Sequence, residues 1–216
     1  MDHVSKSFGS PTSPTPVLHD VSMCIAAGEK ASLVGPSGCG KSTLLSLIAG
    51  LLRPDEGEVA IDGVRMSGLD DRARAALRCR RIGIALQSDN LIPFLSAREN
   101  VEMALAFGPS RSRASARRKA LELLDRFGVA HRAGHRPRHL SGGEAQRVAL
   151  AVSMVNDPAL LLADEVVAQL DVGTATRVVD EVLHAEFAVL YVTHDAALAD
   201  LVPSRYLIRD GALVTR

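Results

Sequence analysis

Two stretches of this chain carry residue types suited to phosphate chemistry. The first is GPSGCGKST, residues 35–43, which satisfies G-x-x-x-x-G-K-[ST] between the apolar run ASLV and the helix-like run STLLSLIAGLL. Gly35, Gly38 and Gly40 permit a tight turn whose N–H groups aim inward as a nest for phosphate oxygens, with Pro36, Ser37 and Cys39 completing the loop. Lys41 adds a point charge where a triphosphate is most negative. Ser42 offers a hydroxyl to Mg²⁺, and Thr43 offers one to neighbouring phosphate oxygens. A helix starting at Ser42 places its positive end beneath the anion.

The second stretch is LLLADE, residues 160–165, where an apolar run ends in two carboxylates. Successive side chains of an extended chain point to opposite faces, so Asp164 and Glu165 divide the work. Asp164 has the usual place for a Mg²⁺ contact. Glu165 faces the other way, where it can orient or deprotonate a water beside the γ-phosphate. Together the two stretches predict nucleotide binding, and the lack of an N-K-x-D string argues against a guanine-specific site. A third string, LSGGEAQRVALA (residues 140–151), sets Ser141, Gly142 and Gly143 before another helix. That is a second anion nest, which one nucleotide does not need unless a second subunit holds another.

These residues need a sheet to carry them. Short apolar runs at residues 31–34, 82–86, 160–164 and 188–193 read as buried strands, with another strand at residues 21–25. Residues 9–16, GSPTSPTP, read as a loop. Asp-Gly pairs at 62–63 and 210–211 predict hairpins. From about residue 90 to 156 the β-branched runs vanish and Ala, Leu, Arg and Glu take over, the composition of helices. In RRKALELLDRFG, Ala120, Leu124 and Phe127 share one face and Gly128 can cap the end.

Composition narrows the classes. The 216 residues suit one core, or one core with a grafted lobe, and aromatics at 3% leave Leu, Val, Ile and Ala to fill it. Formal charge is zero, from 25 basic and 25 acidic residues, so no long-range field marks a nucleic-acid binder. Three unpaired-looking cysteines with no leader-like start predict a reducing compartment, and no apolar run is long enough to span a bilayer.

The motifs occur in a recognisable order. GPSGCGKST, Gln87 at the end of IGIALQ, LSGGEAQR, LLLADE, AQLD with Asp171, and VTHD with His194 resemble the ATP-binding subunits of ABC transporters, over nearly the whole chain. The resemblance implies an α/β fold: a P-loop NTPase (RecA-like) core with an antiparallel β edge subdomain and an inserted helical subdomain. The core would span about 1–88 and 157–216, and the insert about 89–156. It also implies ATP and Mg²⁺ as cofactors, with Ser42, Gln87 and Asp164 toward the metal. Glu165 would be the catalytic carboxylate, with Gln87 near the attacking water and His194 holding Glu165 and water in register. Asp171 would be the D-loop aspartate, and Phe8 would stack on adenine.

Two copies would sandwich two nucleotides, with Ser141, Gly142 and Gly143 closing over the partner's. A separate integral-membrane permease would hold the protein at the cytoplasmic face of the plasma membrane. RIGIALQSDNLIPFLSARENV and DPALLLADE most resemble the lipoprotein-releasing, macrolide and antimicrobial-peptide efflux branch. Leu91, Ile92, Phe94 and Leu95 would then anchor the permease. One departure is plain: Val166 and Val167 stand where the family usually has Pro-Thr. Losing the proline frees the unfolded chain, an effect of about 0.4–1 kcal/mol, and leaves both carboxylates intact. A working ATPase is expected, slowed if anything. A soluble ABC ATPase without a permease and a weakly hydrolysing regulatory module stay open as alternatives.

Three features have plainer readings. Cys39 in the cradle reads as a small side chain that fits before it reads as a redox switch. His131, His135 and His139 recur every fourth residue, but Gly134 and Pro137 interrupt any helix that could align them on a metal. The basic residues between Arg111 and Lys119 read first as a solvated helix face and second as a contact for anionic lipid headgroups.

Overall fold

The protein is described from a computed structural model covering residues 1–10, 12–86, 91–108, 111–164, 172–193, 199 and 202–214. β1 (Asp2–Ser10) and β2 (Ser13–Val21) form an antiparallel hairpin in which Gly9 faces Pro14 and Ser7 faces Pro16. The expected loop at residues 9–16 is therefore largely strand. β2 is the outer strand of its sheet, where a proline's missing N–H breaks no ladder. The expected strand at residues 21–25 fails for a related reason. After Val21 the pairing reduces to the Met1–Met23 exchange of backbone bonds (2.9 and 3.1 Å), too little to carry a strand to Ile25.

β3 (Lys30–Val34) leads through the glycine-rich turn into α1 (Lys41–Ile48). That helix stops short of the predicted Leu52 because Ala49 caps it and Gly50 turns left-handed at φ 65°. β4 (Glu56–Glu58) returns to β1, giving the order β2-β1-β4. β5 (Ala60–Ile61) and β6 (Val64–Arg65) flank the predicted Asp62-Gly63 turn, both of whose φ values are positive. Then follow α2 (Asp71–Arg81), β7 (Ile82–Ala85), α3 (Ala97–Ala106), α4 (Arg113–Arg126) and α5 (Gly142–Met154). The chain returns to the sheet with β8 (Leu160–Asp164), α6 (Val172–Leu183), β9 (Ala188–Val192), β10 (Ser204–Arg209) and β11 (Ala212–Val214).

The main sheet runs β11-β10-β3-β9-β8-β7, parallel except for β11, which folds back through the Asp210-Gly211 turn. Alternation along each strand splits the core between its two faces. Leu161, Ala163, Val189 and Tyr191 pack with apolar residues of α3, α4, α5 and α6. Leu160, Leu162, Leu190 and Val192 pack with α1 and the β1–β2 hairpin. The helices between β7 and β8 thus share one apolar cluster with the sheet rather than closing a core of their own. Period two puts Asp164 on the α1 face, with Leu160 and Leu162. Among the described residues no helix is long and apolar enough to cross a membrane.

Candidate active site

The turn between β3 and α1 is shaped by two glycines that nothing larger could replace in place. A Cβ on Gly35 would lie 2.4 Å from the Ile208 carbonyl oxygen and 2.8 Å from Cys39 Sγ. Gly40 has φ 103°, and a Cβ there would meet Leu18 Cδ2 at 2.8 Å. Gly40 is also the N-cap of α1, and it supplies no side chain to the free N–H groups of the first turn. That turn holds no acidic residue, so the helix places no carboxylate of its own at its positive end. Pro36, Ser37 and Gly38 are exposed at the tip, while Cys39 is buried and fills space that Gly35 leaves.

Lys41 bends back over this loop. Its Nζ donates to the carbonyls of Gly35 (2.7 Å) and Pro36 (2.8 Å), so the ammonium is held within the cradle rather than in solvent. Ser42 is exposed, its hydroxyl unbonded among the described residues, and Thr43 is half-buried beside it.

The C-terminal ends of β3, β9 and β8 lie side by side. Leu33 pairs with Val192, and Val192 pairs with Asp164, which sets Asp164 two strand spacings from β3, roughly 10 Å. β7 runs parallel in the same register, with Ala85 beside Ala163. This is the edge of a parallel sheet where ligands are received. The cradle of Gly35, Pro36, Ser37, Gly38, Cys39, Gly40, Lys41, Ser42 and Thr43 is therefore brought to the same edge as Asp164. Gln87, Glu165, Asp171 and His194 lie outside the described residues, as do Val166 and Val167.

Phe8 sits on β1, 43% exposed, opposite Thr15 and with Lys6 Nζ 5.7 Å from its ring centre. Two residues along β2 from Thr15, Val17 and Leu18 crowd Gly40, which brings the hairpin against the cradle.

Ser141, Gly142 and Gly143 are placed elsewhere, on the helical side, and among the described residues no hydrogen bond links them to the cradle. Ser141 caps α5 in a reciprocal box: Glu144 N donates to Ser141 Oγ (3.2 Å) and Ser141 N donates to Glu144 Oε2 (2.8 Å). Arg132 Nε donates to Glu144 Oε1 at 2.7 Å, and His131 Nε2 stands 3.6 Å from the same oxygen. The Ser141 N–H, then the Arg132 guanidinium, pull the Glu144 carboxyl down to about 2 from its ordinary 4.5. The second nest thus already contains a carboxylate of its own. Among the described residues, no group of three or more His, Cys, Asp and Glu side chains is placed to hold a metal ion.

Asn100 is a residue that the sequence reading missed. It is buried on α3, and its amide clamps the preceding segment: Ile92 N donates to Oδ1 (2.7 Å), and Nδ2 reaches the carbonyls of Ile92, Leu95 and Ser96 at 3.0–3.3 Å. The clamp holds Phe94 outward, 69% exposed, while Leu91, Ile92 and Leu95 are half-buried. An Asn amid the apolar positions of a helix was the available signal.

A family model described as ABC transporter matches residues 18–168. The chain is 42% identical over 221 aligned residues to a lipoprotein-releasing system ATP-binding protein, LolD 1, of Rhodopirellula baltica, covering 100% of this chain and 96% of that one. It superposes on the ATP-binding cassette MJ0796, solved as a dimer in a post-hydrolysis state bound to ADP and Pi, with a TM-score of 0.93 and 36% identity. That match covers 99% of this chain and 95% of the other. A second dimeric structure of MJ0796, a bacterial ABC transporter cassette, gives a TM-score of 0.92 over the same shares.

Proposed function

The chain belongs to the ABC transporter family, and from that premise we propose that two copies close around two ATP molecules to drive a membrane permease in lipoprotein-type release. It is an ATP-binding subunit of that family and an ATPase. The observation that carries the reading is the start of α1: an uncapped, acid-free helix end with Lys41 already inside its loop. Such an end is built for an anion from outside the chain.

In this reading the N–H groups of the 35–43 loop hold the triphosphate, with Lys41 moving from the Gly35 and Pro36 carbonyls to the β and γ phosphates. The exposed Ser42 hydroxyl and the Asp164 carboxylate, both hard oxygen donors at one sheet edge, fit Mg²⁺, with Gln87 as the third group. When bound, Mg²⁺ neutralises charge on the phosphates. Glu165 takes a proton from water as its oxygen attacks the γ-phosphorus, and the bond from that phosphorus to the ADP oxygen breaks. His194 orients Glu165 and the water, Asp171 links the two protomers, and Phe8 stacks on the adenine. Ser141, Gly142 and Gly143 close over the nucleotide of the partner copy. Phe94, held out by Asn100, meets the permease, which places the protein at the cytoplasmic face of the plasma membrane.

The test is Glu165→Gln. Phosphate release should fall by about 10²–10⁴, and ATP should shift the variant to a dimer in size-exclusion chromatography. Unchanged phosphate release would remove Glu165 from the reaction. A variant that binds ATP but stays monomeric would remove the shared nucleotide.

A further inference from the structure

The basic start of α4 has no part in the nucleotide chemistry, yet it gathers positive charge on one side of a groove. Residues 91–119 hold six basic and two acidic side chains in a chain whose formal charge is zero. A groove of about 620 Å³ opens between α3 and α4. Arg111, Arg113 and Arg117 line it, all exposed and all without a hydrogen bond or ion pair among the described residues. Only Arg98, on the α3 side, is paired, with Glu102 at 2.7 Å.

The local electrostatics are unfavourable as they stand. The first turn of α4 contains no acidic residue, and Arg113 occupies the helix end where the macrodipole favours an anion. Three unpaired guanidiniums at a positive helix end repel one another until negative charge joins them. Met103 and Phe107, the chain neighbours of the groove residues Glu102 and Ala106, are 41% and 58% exposed. A small phosphate would engage the arginines and leave these apolar side chains in water. A surface that presents phosphate groups above an apolar layer would engage both.

We propose that the α3–α4 groove is a docking surface for anionic phospholipid headgroups. Lipid phosphates sit on Arg111, Arg113 and Arg117, and Phe107 and Met103 rest against the acyl boundary. The surface is separate from the cradle, so its failure would leave the ATPase reading untouched.

The experiment uses the full chain without nucleotide, co-sedimented with vesicles of phosphatidylcholine alone or mixed with phosphatidylglycerol. The protein should bind only the mixed vesicles, more weakly as salt rises. The triple variant Arg111→Gln, Arg113→Gln, Arg117→Gln should bind on the order of a hundredfold less tightly, with ATPase activity retained. Phe107→Ser should weaken binding without changing its salt dependence. Arg72→Gln, Arg80→Gln, Arg209→Gln removes as much charge from other exposed sites and should keep vesicle affinity. Equal loss in that control would reduce the effect to net charge and overturn the proposal. So would indifference to phosphatidylglycerol, or displacement by inorganic pyrophosphate beyond that of sodium chloride at equal ionic strength. Retention of the protein by the permease in detergent, lost in the first triple variant while vesicles are ignored, would assign the surface to a protein partner and overturn it as well.

Discussion

Two helices of this protein begin in glycine-bearing turns assigned to the same triphosphate, and they are finished in opposite ways. α1 begins at Gly40, whose φ of 103° suits glycine and brings no capping side chain. α5 begins at Ser141, whose hydroxyl and the Glu144 carboxylate satisfy two backbone donors. A glycine N-cap in place of a capping side chain costs about a few tenths of a kcal/mol. α1 bears that cost where an anion can recover it, while α5 is complete before any nucleotide arrives. The difference fits the proposed order of events, in which the cradle binds ATP alone and the serine-glycine turn arrives preformed on a second copy.

The sharpest way to break this contrast is Lys41→Ala. It removes a charge-assisted partner of the phosphates, and nucleotide affinity should fall about a hundredfold. Thermal unfolding without nucleotide should barely move, because among the described residues Lys41 Nζ bonds only its own loop, at the Gly35 and Pro36 carbonyls and, at 3.9 Å, Cys39 Sγ. Calorimetric titration and a melting curve on the same preparation decide it. A large loss of stability without nucleotide would mean that the lysine is a structural clasp, and the cradle would no longer be the unfinished end.

Ser141→Ala tests the other end. Losing an N-cap serine should cost roughly 1 kcal/mol of stability, visible in urea unfolding, because Glu144 N loses its acceptor. ATP affinity of the monomer should hold, while ATP-driven dimerisation weakens. If monomer affinity drops as well, the two helix ends serve one nucleotide within one chain and the contrast disappears.

How much of this was legible beforehand differs between the two ends. The shape of the cradle could be read in advance, because G-x-x-x-x-G-K-[ST] asks for glycine at Gly35 and Gly40, where the structure leaves no room for a Cβ. The strand LLLAD and both Asp-Gly turns were legible from apolar runs and turn residues. At Ser141 the spacing to Glu144 also spells a capping box, yet the string was read only as an anion nest, since Arg132 lies nine residues upstream and its pairing is tertiary. Pro14 and Pro16 misled for the same kind of reason, because whether a strand is at an edge depends on the sheet. The clamp made by Asn100 and the groove between α3 and α4 likewise need contacts that no local pattern states.

The smallest expected effect discriminates most finely. Glu144→Gln keeps a side chain that can close the box but removes the charge held by Arg132 and flanked by His131. At neutral pH the loss should stay below about 1 kcal/mol, since the pair is near solvent. Acid should separate the two proteins. The folded carboxyl titrates near 2 and its ordinary value is 4.5, so its stabilising contribution is complete above 4.5 and is lost as pH falls from there toward 2. The native chain should lose stability through that window relative to Glu144→Gln, measured by urea unfolding at stepped pH. The same change should strengthen ATP-driven dimerisation a few-fold, on the order of 1 kcal/mol, because a carboxylate beside Ser141 repels the incoming phosphate. A weaker dimer in Glu144→Gln would reverse that sign. The Glu144–Arg132 pair would then shape the turn for the nucleotide, and the capped end would be as dependent on its charges as the cradle is on Lys41.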